Sequence, residues 1–446
     1  MRVALPSLPR GLWISLAAAS LLVLLQQQLL ERRQPRLLAL ELQPHTSGPG
    51  ALDLRFSRPM RRQSLARESR LLPALAHRWL GSDAHQRLLL QGDQALRSPL
   101  ALRLAGVDRR GIALPPQSWW WDPRPHLLVV ARVPGGEQLR LRTHGGRWRA
   151  LSPVWPRIAT VEPQADGRGV LFLTADGEGR QWLWRRSLRP RSLARRQGDL
   201  GPPELGELGL LWSRPVSFAH LSSNRRGDLL IQLGGLAPGS ERSFWLDGRG
   251  RRHDLALKVS GPIRLLPEGE GMVVPTPDGL ELRSLRGGES GRPQVLPGSR
   301  VLAALCPATG QALLVRHWPD YRRSLERVQP GAAPLTLWLG QEAVMAASCN
   351  QAGDRAWMLL NRWQGASHNE VVALDRRGRV LARRSLEPWS PEPGTPLSYD
   401  PAADQLLLTL RRDPREPARA ALLDGRTLQL RRLEEPISQA HWLPPG

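Results

Sequence analysis

"SYDPAADQLLLTL", Ser398 to Leu410, reads as the end of one strand, a tight turn at Pro401 and a fresh apolar strand. The same design stands upstream as "LCPATGQALLV", Leu305 to Val315, and as "SCNQAGDRAWMLL", Ser348 to Leu360. Matching turns fall at Pro163 in "TVEPQADGRGVLFLT", at Ser223 in "AHLSSNRRGDLLIQL" and at Pro267 in "IRLLPEGEGMVVP". With Pro307, Asn350 and Pro401 they are spaced by 60, 44, 40, 43 and 51 residues. A strand-only unit repeating at about 40–50 residues is the signature of β-propeller blades.

Each unit carries a second hairpin. "FWLDGRGRRHDLAL", "VVALDRRGRVLARR" and "ALLDGRTLQLRRL" set Asp247-Gly248, Asp375-Arg376 and Asp424-Gly425 between two strands. Such pairs tolerate the positive φ angles of short hairpin turns. A unit is therefore a four-stranded blade. "HLLVVARVPGGEQLRLRTHGGRWRAL" from His126 supplies three strands without an inner one, and "ISQAHWLPPG" from Ile437 supplies an inner strand alone. Joined, they make a composite blade that removes exposed edges. The count is seven blades over 125–446, with six or eight left open. The units resemble TolB-like and WD40-like bacterial propellers through a loose turn of the Pro-x-Gly/Asp kind, without a Gly-His or Trp-Asp signature.

Residues 38–124 read differently. "GALDLRFSRPMRRQSL", "HRWLGS", "QRLLLQ" and "LALRLAG" are short strands between turn signals, the pattern of a β-sandwich. Phe56-Ser57-Arg58-Pro59-Met60, Trp79-Leu80-Gly81, "SPLALRLAGVDRRGIAL" from Ser98 and the closing Trp121-Asp122-Pro123 resemble the SbsA-type bacterial Ig-like domain. The resemblance implies a stalk or adhesion module rather than a catalyst. The run Trp119, Trp120, Trp121 is read as a packing plug between domains, with a carbohydrate platform as the alternative.

"RGLWISLAAASLLVLLQQQLLERR" has the grammar of an export segment: a basic head at Arg2 and Arg10, then an apolar run from Gly11 to Leu25. The adopted reading is an uncleaved signal anchor over 1–37, with a cytoplasmic tip and a single transmembrane helix. A cleaved signal and a buried soluble helix are the alternatives. The bulk of the chain is then expected to face the periplasm from the bacterial inner membrane.

The net charge is +23, yet Lys258 is the single lysine among 63 basic residues. The arginines form scattered pairs rather than a tail or platform, which argues against nucleic acid as a partner. Cys306 and Cys349 sit at equivalent points of neighbouring units. Blade rotation should splay them, so two buried thiols are expected. No metal-binding His pair, P-loop, dinucleotide fingerprint or nucleophile elbow occurs, so no cofactor or metal is expected. Arg226-Gly227-Asp228 is a blade turn. His220, Asp320 and Glu342 are the polar residues placed nearest the expected channel.

The expectation is thus an all-β, membrane-anchored envelope protein whose propeller docks an unidentified protein or acidic glycan. Arg322, Arg323, Arg411 and Arg412 are the candidate contacts, with the three tryptophans. A propeller hydrolase or lyase acting on an anionic carbohydrate is the alternative.

Overall fold

Apolar strands of two to thirteen residues separated by Gly- and Asp-rich turns leave little choice but antiparallel pairing. The computed structural model describes residues 10–43, 49–93, 95–285, 293–306 and 310–446. It is almost wholly antiparallel sheet, and each sheet is an open path rather than a closed barrel. The turn at Pro307 and the basic tip at 1–9 lie outside the described residues.

A helix, α1 (Arg10–Arg32), leads into β1 (Leu37–Gln43). Then come β2 (Ala51–Phe56), the short α2 (Arg62–Glu68), β3 (Arg70–Leu72), β4 (His77–Ser82), β5 (His85–Leu90), β6 (Leu100–Leu104) and β7 (Gln117–Trp121). They form two four-stranded sheets. One has the order β1-β2-β5-β4; the other is β3-β6-β7 with an added strand, Leu193–Ala194, from far down the chain. Leu52, Leu54, Phe56, Leu88, Leu102 and Trp121 fill the space between them.

Seven further sheets follow. Sheet I joins β8 (His126–Val133), β9 (Gly136–Arg142) and β10 (Trp148–Ala150) to the C-terminal strand Ile437–Leu443, which pairs along β8. Sheets II to VII cover 157–216, 218–255, 264–297, 300–340, 343–385 and 390–432. First strands neighbour one another along Ile437–Leu443, Arg157–Pro163, Phe218–Ser223 and Arg264–Leu265, and sheet IV then meets sheet V through its third strand, Gly279–Ser284. Arg300–Cys306, Ala343–Cys349 and Ser398–Asp400 bring the succession back to Ile437–Leu443. The arrangement is propeller-like.

Second strands lie between neighbours on both faces, which explains their unbroken apolar runs. Gly169–Ala175 and Leu229–Gly234 are buried throughout. Outer strands such as Val380–Ser385 are exposed and carry arginines. Aliphatic clusters fill the gaps between successive sheets, for example Leu128, Leu141, Val170 and Phe172 between I and II.

Two expectations are corrected. Cys306 and Cys349 are a disulfide, with Cα atoms 5.6 Å apart. Neighbouring first strands approach closely enough there to bring both side chains together, so blade rotation does not splay them. The transmembrane helix is the second. No helix among the described residues is long and apolar enough to cross a membrane. Gln26–Gln28 interrupt the apolar run after fifteen residues, Gly11 to Leu25, where a span needs about 20. The side chains from Trp13 to Leu25 are exposed all the same: Ile14 is 71% exposed and Leu22 67%.

The two sheets of the first unit rest on one face of the ring, the face bearing the turns between first and second strands. Leu96 N–H donates to Ala402 C=O (2.8 Å), and Asn350 Nδ2 donates to Asp93 Oδ2 (2.7 Å). Leu193–Ala194, from sheet II's long third-to-fourth connection, pairs with Trp120 and Trp121. Asp400 lies at this junction near Asp93 and Asp404, and burial pushes its pKa up to about 7, against backbone donors from Ala402 and Ala403. A carboxyl raised in the folded state binds a proton that the unfolded chain releases, so its contribution is lost as pH rises from about 4 to 7. Asp400→Asn is expected to leave the melting temperature unchanged at pH 4 and to raise stability at pH 8. The gain should be about 2 kcal/mol, discounted for water at the site. Thermal melts at both pH values check this; equal shifts at both would remove the buried-carboxyl account.

Candidate functional site

First strands converge on an axis, so their side chains face a shared channel, here a cavity of about 1670 Å³. Its near end, under the first unit, is lined by Glu162, Ser223, Arg225 and Pro267. Its far end is a mouth formed by Arg132, Glu137, Arg157, His317, Glu392 and Arg411. Ala165 and Arg225 also line a smaller cavity of about 240 Å³ with Gln43, Pro49 and Gly50 of the first unit. That unit therefore sits over the near end.

Four first strands carry a register break at matching height. It falls between Ile158 and Thr160, Leu302 and Ala304, Val344 and Ala346, and Ile437 and Gln439. The extra residues, Ala159, Ala303, Met345 and Ser438, all line the channel. A bulge re-aims a side chain at the expense of a ladder bond. Period-based reading of the sequence has no signal for it.

The channel is two-sided. Sheets V and VI offer Val301, Leu302, Ala303, Ala304, Val344 and Met345. Val301 is 56% exposed and Met345 59%. Sheets I to III and the start of IV offer Gln439, His441, Arg157, Glu162, His220 and Arg264. Desolvation raises the Glu162 pKa to about 7, opposed by Arg264 and by the Ser223 hydroxyl, whose Oγ lies 3.3 Å from Oε1. Burial lowers the His441 pKa to about 4 and also lowers that of His220, which Arg264 pushes further in the same direction. At neutral pH both imidazoles are therefore uncharged. Arg225 is held by Glu268 at 3.3 Å, and Arg411 pairs with Glu392. Arg132 and Arg157 make no ion pair among the described residues.

The residues singled out from sequence separate into three places. Arg322, Arg323, Arg411 and Arg412 share the far face: Arg322 and Arg412 lie in the second-to-third connections of sheets V and VII, and Arg323 and Arg411 stand at the ends of the strands beside them. Arg322 Nε donates to Asp320 Oδ2 at 2.7 Å, Arg323 is half-buried, Arg411 alone lines the channel, and Arg412 is exposed. Trp119, Trp120 and Trp121 lie in β7, away from that face. Trp121 is 1% exposed, and the Arg195 guanidinium stacks 3.8 Å from the Trp119 ring centre. His220 lines the channel. Asp320 is in an outer turn, and Glu342 is bonded by Arg362 at 3.0 Å. Glu162, Arg264 and His441 were missed because they stand on separate blades with no shared motif.

No family model matches the chain, and no curated protein does. The resemblance to the SbsA-type Ig-like domain accordingly finds no support there. Among solved structures the chain is similar to TolB from Acinetobacter baumannii, at 12% identity over 79% of this chain and 81% of that one, with a TM-score of 0.39. It is similar to the β-propeller domain of the Trilobed protease from Pyrococcus furiosus, at 10% identity over 76% and 92%, with a TM-score of 0.44. Oligogalacturonate lyase from Vibrio parahaemolyticus matches at 10% identity over 68% and 92%, with a TM-score of 0.44. These are likenesses of β-propeller fold, and nothing about this chain's chemistry follows from them.

Proposed function

We propose that this chain is a non-catalytic docking protein of the bacterial envelope, a seven-bladed propeller carried on an Ig-like stalk. The order β1-β2-β5-β4 against β3-β6-β7 is that of a constant-type immunoglobulin sandwich, which supports the stalk reading. The seven sheets and the pairing of Ile437–Leu443 with β8 support the blade count. The observation that carries docking is the far face. Arg132, Arg157 and Arg411 line the one mouth that the stalk leaves free, and Arg412 and the exposed Tyr321 and Trp363 stand on the same face. Arginine and aromatic side chains together favour an acidic protein or glycan.

The test uses poly-L-glutamate as the acidic probe. Replacing Arg132, Arg157, Arg411 and Arg412 by Gln is expected to slow association about tenfold at low salt, with the difference vanishing as screening lengths fall below about 8 Å. Equal association rates at every salt concentration would sink the acidic-partner reading.

We also propose that the ring faces the periplasm while α1 holds the chain at the inner membrane. The Cys306–Cys349 bond supports the first part, since disulfides persist in oxidising compartments. The exposed apolar side chains of α1 support the second. Deleting residues 1–35 is expected to move the chain from the membrane pellet to the supernatant. An intact chain already in the supernatant would end the anchor proposal.

A further inference from the structure

The two walls of the channel ask for an occupant with two characters. One wall, from the first strands of sheets V and VI, holds Val301, Leu302, Ala303, Ala304, Val344 and Met345, none with a side-chain donor and only the weakly accepting Met345 sulfur among them. Two of the four bulges fall on this wall and turn Ala303 and Met345 inward. Large apolar side chains kept open to water inside a concave site mark a binding surface.

Across the axis the charge is unbalanced. Arg132, Arg157 and Arg264 stand there with Glu137 and Glu162, Arg411 and Glu392 stand on sheet VII, and Arg225 is paired with Glu268. Glu392 is taken by Arg411, and a Glu137 oxygen accepts the Ile158 N–H at 2.7 Å. Arg264 donates to Leu221 C=O at 3.0 Å and otherwise looks into the channel beside Glu162. Arg157, at the start of its strand, is exposed and unpaired among the described residues.

We infer that the channel binds an aliphatic carboxylate at its far end, its hydrocarbon chain against the Val301–Met345 wall and its carboxylate on Arg157. A guanidinium fork matches a carboxylate with two parallel hydrogen bonds, and an aliphatic chain matches a wall that offers no hydrogen-bond donor. A cationic amphiphile of the same length meets the same wall but the wrong charge. This goes beyond far-face docking: a chain that ignores poly-L-glutamate can still bind here, and the reverse holds too.

The experiment is calorimetric titration of the full chain with dodecanoate below its micelle concentration, with dodecyltrimethylammonium and acetate as controls. Dodecanoate is expected to bind one per chain and the controls not at all. Arg157→Gln and Met345→Asp are expected to weaken it at least tenfold each. Both side chains are exposed in the channel, and an unchanged melting temperature shows that each variant is folded. Equal binding of the ammonium amphiphile would overturn the inference, since the apolar wall would then act alone. So would unchanged affinity in both variants, absence of dodecanoate binding, or tighter binding of an apolar peptide than of dodecanoate.

Discussion

Removal of Ile437 to Gly446 is expected to abolish cooperative folding of the ring or to lower its melting temperature drastically. The segment is one strand of sheet I, paired with β8 from Ile437 opposite Ala131 to Leu443 opposite His126. Ile437, Ala440 and Leu443 are at most 1% exposed. They belong to two different cores: Leu443 packs with Leu128 and Phe172, whereas Ile437 and Ala440 pack with Val129 and Leu407. Gln439 Nε2 adds a hydrogen bond to Ala159 C=O (2.8 Å), and the Ala440 N–H one to Thr409 Oγ1 (3.1 Å). Losing a large buried aliphatic side chain costs about 2–5 kcal/mol, so Ile437 and Leu443 together approach the whole stability of a typical domain, about 5–15 kcal/mol. Circular dichroism melts of the truncated chain check this. Addition of a synthetic peptide covering 437–446 is expected to restore part of the loss. A truncated chain that melts within a degree or two of the full one would show that sheet I does not depend on its last strand.

The second large effect belongs to the disulfide. Cys306 ends the first strand of sheet V, and Cys349 ends that of sheet VI, 43 residues later. Closing a loop of that length removes unfolded-state entropy worth about 4 kcal/mol. Cys306→Ala with Cys349→Ala is therefore expected to lower stability by about that amount at neutral pH, read from denaturant midpoints. Both sulfurs are buried, at 1% and 7% exposure. The native chain should thus resist alkylation when folded and unreduced, and take up two labels after reduction in denaturant. A double variant as stable as the parent would mean that packing between the two strands, and not the bond, joins the sheets.

The repeating sheets were legible because their signal is local. Asp247-Gly248 and Asp424-Gly425 sit between two strands wherever the chain must reverse, and the second strands are apolar without a break. The C-terminal strand could be assigned from bookkeeping, since "ISQAHWLPPG" lacked partners and the segment from His126 lacked an inner strand. What the sequence hid depends on distance through space. The approach of Cys306 to Cys349 is set by how closely two first strands run, which spacing along the chain does not encode. Helix α2 was overlooked because seven residues with one buried side chain, Leu65, give no 3.6-residue stripe. Leu193–Ala194 joins β7 from a connection that reads as loop. Glu162 of sheet II and Arg264 of sheet IV become neighbours only across the first strand of sheet III, so the arginine pairs drew attention instead.

The seating of β1 sets a reach. Its Leu42 and Gln43 end lies in the small cavity shared with Pro401 and Pro444, while Leu37 is at the opposite end, where α1 arrives. Seven strand residues extend about 20 Å, and a first strand of equal length carries on through the ring for about another 20 Å. Because β7 takes Leu193–Ala194 into its own sheet, the two units share hydrogen bonds and cannot swing apart freely. The mouth thus looks away from the start of the chain, at a standoff of up to about 40 Å. A body tethered through α1 and one seated at the mouth would be held on opposite sides of a rigid strut, close enough to be coupled and too far apart to touch through short loops.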